Sequence, residues 1–355
     1  MSARPSAAAR LRALGYASPA AVPLAFREDA DWHAPHATSP ETDAQDWVAF
    51  LSDGDRNPAT PARRTLVAVP LGWSAAAEAL LPHECAAPLP APADVAAYLS
   101  AFTTLPCRVA PELEVVAWQP ASARARAVRV DDVLVRVRAR RAPDGAFAAQ
   151  LHVHDLLDAL LEWLATQPDA YSVVGLTPFD LHEDGQLVCG RAFGGSRVAV
   201  VSLARYHPDL AEPEWPATLG ARVRGGPLLR AARDAATAAA ARARATPTAL
   251  WLASFAVTAA HEVGHCMGLD HCTAYACWMG ELDGQPPYAC PSCLRKMLTT
   301  AAGEHGAAAA AGEHYTQLAR FCEARCDVPM WAALHAWAAG RAAVLAGAAV
   351  KLDAA

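Results

Sequence analysis

HEVGHCMGLDHCTAYACWMG, residues 261–280, is the stretch on which the reading of this chain turns. His261 and His265 stand four residues apart, a spacing that stacks both imidazoles on one face of an α-helix, about a turn from each other. Upstream, Thr246 and Pro247 carry an N-cap and first-position signature, so a helix from Thr248 to Met267 is expected. Gly268 can take the left-handed conformation that ends a helix, and the turn swings His271 back toward the same point. Three neutral imidazoles with a fourth position open make a catalytic zinc site rather than a closed one. Glu262 faces the same cleft without having to be a ligand, where a carboxylate can take the proton of a zinc-bound water. Independent draws from the composition produce this constellation roughly 10⁻⁴ times per chain.

A second cluster follows at once. Cys290-Pro-Ser-Cys293 is a C-x2-C knuckle, and Cys272 and Cys277 supply another pair. Four thiolates would close a tetrahedral sphere and leave no room for water, which describes a structural zinc. Two disulfides or four buried thiols are the competing accounts. Cys266 lies off the histidine face of the helix and reads as core.

The pattern HExxHxxGxxH with a downstream methionine resembles the metzincins. Its continuation, HC-x4-C-x-M and then CPSCLRKM, is similar to the archaemetzincins in particular. The resemblance implies His261, His265 and His271 as ligands of the catalytic zinc, Glu262 as general base and Met279 as the Met-turn methionine beneath the metal. It also implies Cys272, Cys277, Cys290 and Cys293 as ligands of a second zinc. VVGLTPFDL and VAVVSLARY look like the strand segments that precede the active-site helix in that family. The likeness covers residues 65 to about 325, and its specific part is 261–297. One departure is the spacing from Met279 to Cys290, shorter than the family pattern, which touches the loop's share of the cleft more than the metal.

The rest of the sequence sets bounds. The chain has 355 residues, 54% hydrophobic and 19% charged, with a formal charge of −6, so a broad cationic field for nucleic acid is excluded and disorder throughout is not expected. No apolar run spans a bilayer, and the N-terminus lacks an apolar signal core, which points to a soluble protein of a reducing, cytoplasmic compartment. Early arginines leave organelle targeting as the alternative. Residues 1–62 read as a partly disordered extension, 63–325 as the catalytic domain with an Ala/Arg-rich insertion at 211–246, and 326–355 as a C-terminal helix. From Thr65, TLVAVPLG reads as a buried strand. A helix capped by Asp94 and a strand over Leu113–Trp118 come next. An arginine-bearing hairpin around Asp131, an amphipathic helix over Leu151–Ala165 and two strands flanking GQLVCGRAFGG follow.

The expected class is therefore α/β: a metzincin-like catalytic domain with a mixed sheet, backing helices, a long active-site helix and a zinc-clipped C-terminal subdomain. The expected function is a zinc-dependent peptidase with two zinc ions, acting on a peptide or small protein. Oligomeric state is left open. Two rivals stand beside it: a non-catalytic, zinc-stabilised scaffold, and a site in which Glu281 replaces His271 as ligand. Tyr206 and Tyr275 could hydrogen-bond a tetrahedral intermediate if they face the metal, and Asp270 could orient an imidazole.

Overall fold

Thr65–Pro70, Ala170–Thr177 and Val198–Ser202 carry no polar face, because both sides of these strands are covered. Leu66, Ala68, Val174, Leu176, Ala199 and Val201 point into one core; their neighbours Val67, Val69, Val173, Val198 and Val200 point into another. Side chains that alternate between two buried faces produce the continuous Val/Leu runs seen in the sequence. The fold comes from a computed structural model and is described for residues 6–27, 45–75, 88–118, 125–208, 210, 245–275, 277–280 and 285–353.

In chain order the elements are α1 (Ala7–Leu14), α2 (Trp47–Ser52), β1 (Thr65–Pro70), α3 (Pro92–Thr103), β2 (Cys107–Val109) and β3 (Val115–Ala117). The hairpin β4 (Ala125–Val130) and β5 (Val133–Arg140) leads to β6 (Gln150–His152), α4 (Val153–Leu164), β7 (Ala170–Thr177) and β8 (Asp180–Glu183). Then come β9 (Gln186–Val188), β10 (Gly190–Phe193), β11 (Val198–Ser202), α5 (Pro247–Cys266), α6 (Pro291–Ala302), α7 (Ala307–Glu323) and α8 (Pro329–Asp353).

Two mixed sheets form, where one was expected. The first runs β10-β11-β7-β1-β2, parallel except for β10, which pairs antiparallel to β11 and stands at the edge. The second runs β3-β4-β5-β6-β8-β9. On one side of the first sheet lie α3 and α5; α4 and the second sheet enclose the other core. The arginine-bearing hairpin is present as β4–β5, and its arginines are tied down locally: Arg138 to Asp155 at 2.6 Å and Arg129 to Glu114 at 3.0 Å.

Three boundaries differ from expectation for local reasons. Asp94 does not cap α3; Pro92 occupies the first turn with Ala91 as N-cap, and Asp94 pairs instead with Arg325 at 2.5 Å. Residues 151 and 152, read as helix, belong instead to β6, which pairs with both β5 and β8. The C-terminal helix expected over 326–355 begins at Pro329 and is preceded by another over Ala307–Glu323.

The described parts of the expected extension pack onto the main core. Leu14, Phe26, Trp47 and Phe50 are buried. The guanidinium of Arg295 lies over the rings of Tyr16 and Trp47, with centroids 4.1 and 3.6 Å away, and bonds the Leu14 carbonyl. Helices of two turns, such as α1 and α2, carry too little periodicity to be read from sequence. Residues 211–244 of the expected insertion lie outside the described residues. No helix among the described residues is long and apolar enough to cross a membrane.

Candidate metal centres and catalytic cleft

The helix α5 begins as its sequence suggests, with the Thr246 hydroxyl accepting from the Ala249 amide and Pro247 in the first turn. Its apolar residues are buried almost all round, which fixes its rotation and hence the direction of its histidines. Gly268 has φ +85°, so the chain turns there in a conformation that side-chain-bearing residues rarely take. His271 is thereby returned to the other two. Ring centroids of the three histidines lie 4.8, 5.4 and 5.0 Å apart, and one nitrogen from each falls within 4.8 Å of the others.

Backbone carbonyls fix the imidazoles. His261 Nδ1 donates to the Trp278 carbonyl at 2.8 Å and His265 Nδ1 to the Leu269 carbonyl at 2.8 Å. With Nδ1 protonated, each Nε2 presents a lone pair, and the two Nε2 atoms stand 3.1 Å apart. Burial pushes the His261 imidazole down to about 4 and that of His265 well below its usual range, so both are neutral at pH 7. Two lone pairs facing each other at this distance repel unless a cation lies between them, and a tetrahedral zinc with Zn–N bonds of about 2.1 Å accepts such donors. The donor set therefore fits zinc.

Glu262 is 7% exposed and points to the same side. Burial pushes its carboxyl up to about 8; the Arg191 guanidinium acts against this and the Glu183 carboxylate with it. The group reaches the edge strand: a Cβ on Gly190 would lie 2.8 Å from its Oε1. Thus β10 and the histidine face of α5 are the two walls of a cleft of about 490 Å³, with Asp53, Asp55 and Asp270 at the end near Gly268.

Met279 lies against α5 beneath the histidines. A Cβ at Gly264, between the two helical histidines, would stand 2.5 Å from Met279 Sδ and 2.7 Å from the Trp278 ring. Gly264→Ala is expected to push the helix off Trp278, whose carbonyl holds His261, and to destabilise by about 1–3 kcal/mol as overpacking does. Chemical denaturation of the variant checks this; an unchanged midpoint would show that the contact can relax freely.

The four cysteine sulfurs also converge. Cys272 Sγ lies 3.8 Å from Cys290 Sγ, and Cys277 Sγ 3.8 Å from Cys293 Sγ. A disulfide needs about 2.05 Å, whereas four sulfurs at about 2.3 Å from a tetrahedral zinc stand about 3.8 Å apart. All four cysteines are buried. Burial pushes the Cys277 and Cys290 thiols well up, while hydrogen bonds from the other three pull Cys272 down. A divalent cation is what would let four thiolates coexist this close together. Here too the residues fit zinc.

Other expected residues fall in different places. Tyr206 lines the cleft with its hydroxyl 2.6 Å from Thr258 Oγ1, one turn before Glu262 on α5. Tyr275 is buried in the core beside the cysteines, and Cys266 is buried as expected. Carbonyls of Trp278 and Leu269 hold the His261 and His265 imidazoles, and Asp270 lines the cleft next to His271. Glu281 lies outside the described residues. Sequence reading missed Gln45, whose amide donates to the Gly268 carbonyl at 2.9 Å and accepts from the Asp270 amide at 3.3 Å, so it braces the turn before His271. Lys296 in turn holds Gln45 Oε1 at 2.9 Å.

No family model matches the chain. Among curated proteins, mouse archaemetzincin-2 is 31% identical over 137 residues, 36% of this chain and 36% of that protein. Archaemetzincin-2 of Pongo abelii is 30% identical over 156 residues, 42% and 41% of the two chains. The archaemetzincin of Thermococcus kodakarensis is 28% identical over 145 residues, 39% and 61%. The match to the mouse protein thus spans about a third of that protein's length. The solved archaemetzincin of Methanopyrus kandleri overlaps with a TM-score of 0.38 at 18% identity, covering 68% of this chain and 96% of that one. Over the stretch that carries the histidine, glycine, methionine and cysteine pattern of residues 261–297, the chain is similar to archaemetzincins.

Proposed function

We propose that the chain is a zinc-dependent peptidase. His261, His265 and His271 hold one zinc in the cleft, and Cys272, Cys277, Cys290 and Cys293 hold a second that is structural. The observation carrying the reading is the convergence of three neutral imidazoles beside a buried carboxylate that is not needed as a ligand. Zinc held there supplies Lewis acidity, polarising the scissile carbonyl and making a water acidic enough to attack near neutral pH.

The remaining work falls to the chain. Glu262 accepts the proton of the attacking water and passes it to the leaving amine. Burial pushes the Glu262 carboxyl up to about 8, and a cation held by the three histidines would favour its ionised form, the form that accepts a proton. As an edge strand lining the cleft, β10 offers an extended peptide a partner for its main chain. Met279 and Trp278 support α5 from below, and Gln45 steadies the turn that carries His271.

The test is cleavage of a fluorogenic peptide mixture. Hydrolysis is expected to vanish with 1,10-phenanthroline and to return when zinc is restored. A protein that retains zinc at both sites and cleaves nothing is a scaffold, and the proposal fails.

A further inference from the structure

We propose that Arg191 selects peptides carrying a carboxylate close to the scissile bond; this rests on the peptidase reading and adds a substrate class to it. The strand β10 runs alongside α5, with Gly190 against Glu262 and Gly194 against the His265 carbonyl. Arg191 therefore stands on the cleft wall at the Glu262 end, and its side chain is 51% exposed. Its charge is felt at both Glu262 and His265, which places it within electrostatic reach of the reacting centre.

Arg191 is also aimed. Its Nη2 meets Glu183 Oε1 at 3.1 Å, and that same oxygen is held by His154 Nε2 at 2.7 Å. One nitrogen of the guanidinium is thus tethered from behind. Nε and Nη1 have no hydrogen-bond partner among the described residues. A planar fork held at one corner with two donors to spare suits a carboxylate, which it can bind bidentately. The far end of the cleft has the opposite sign: Asp53, Asp55 and Asp270 line it, and Asp55 abuts Gly195. An anionic group on a bound peptide is repelled there and attracted at Arg191, which fixes the substrate's register as well as its charge.

The carboxylate can come from an Asp or Glu side chain or from a peptide C-terminus, and one experiment separates these sources. Zinc-loaded Glu262→Gln protein is titrated by fluorescence anisotropy with labelled Ala/Gly octapeptides. Each carries Glu or Gln at one position, with either a free or an amidated C-terminus. At one position Glu is expected to bind about tenfold tighter than Gln; if the terminus is what is read, the free acid gains by about the same factor over the amide. Adding Arg191→Met brings that ratio to about one, and Arg191→Glu inverts it in favour of Gln. Equal binding of all the peptides, or a preference untouched by Arg191→Met, overturns the proposal. Circular dichroism and zinc content of each variant show that it is folded. Charge-selective binding by an intact Glu262 protein that cleaves nothing would sink the peptidase reading alone. Cleavage indifferent to charge would sink this one alone.

Discussion

Glu262→Gln is expected to lower kcat by about 10³- to 10⁴-fold while the protein keeps its fold and its zinc. The reasoning is steric first. Glu262 is enclosed by β10, where Gly190 leaves room for the carboxylate and no more, so an amide of the same shape fits without moving the strand. It is electrostatic second. Burial without a cation already favours the neutral carboxyl, so a neutral amide adds no desolvation cost and the variant should be at least as stable as the parent. What the amide lacks is the ability to take a proton from water. Binding of peptide to β10 does not depend on that proton, so KM should move far less than kcat. Glu262→Asp gives an independent check: it keeps the base but withdraws it by about one carbon–carbon bond, and a loss of about 10²-fold is expected from misplacement alone. Steady-state kinetics with zinc content measured on the same samples decide the matter. Undiminished turnover in the Gln variant removes Glu262 from the chemistry.

Much of this site was legible because its parts are close in sequence. A four-residue histidine spacing needs only a helix, and one glycine accounts for the return of His271. The cysteines were equally readable as two short pairs. What sequence could not convey is the far wall and the bracing. Gln45 meets Gly268 across a separation of 223 residues, and the contact leaves no periodic trace at either end. The same holds for Arg295, whose guanidinium lies over the rings of Tyr16 and Trp47. The strand bearing Arg191 has four residues in a glycine-rich stretch, too short for alternation to mark its faces. The capping assignment to Asp94 failed on a local rule, since Pro92 at a helix start outweighs an acidic residue two positions later. The strand β6 failed on a non-local one, because partners supplied by β5 and β8 overrode helical propensity.

The cysteine site supplies the other large effect. Cys290→Ser combined with Cys293→Ser is expected to take the zinc content from two per chain to one and to lower the melting temperature by more than about 10 °C. Structural zinc contributes on the order of 10 kcal/mol of binding energy that exists only in the folded state, and losing even part of it exceeds the reserve of an ordinary domain. The substitution separates metal from capping. Cys290 is also the N-cap of α6, its side chain accepting from the Cys293 amide at 3.4 Å, and serine is a good residue at that position. Loss of stability therefore reports the missing ion and not a frayed helix. A second consequence follows from connectivity. The Cys272 amide donates to the Met279 carbonyl at 2.6 Å and the Trp278 amide to the Tyr288 carbonyl at 3.0 Å, so the cysteine-bearing loops hold the segment whose carbonyl orients His261. Freed of the clip, that carbonyl no longer fixes the imidazole, and the remaining zinc should bind about 10- to 100-fold more weakly, the usual cost of losing a ligand's hydrogen-bond partner. Metal analysis by mass spectrometry, a thermal melt and a competitive chelator titration measure the three effects separately. Two zinc ions retained in the double variant with an unchanged melt would mean that the thiols are ordinary core residues and that His261 is held by other means.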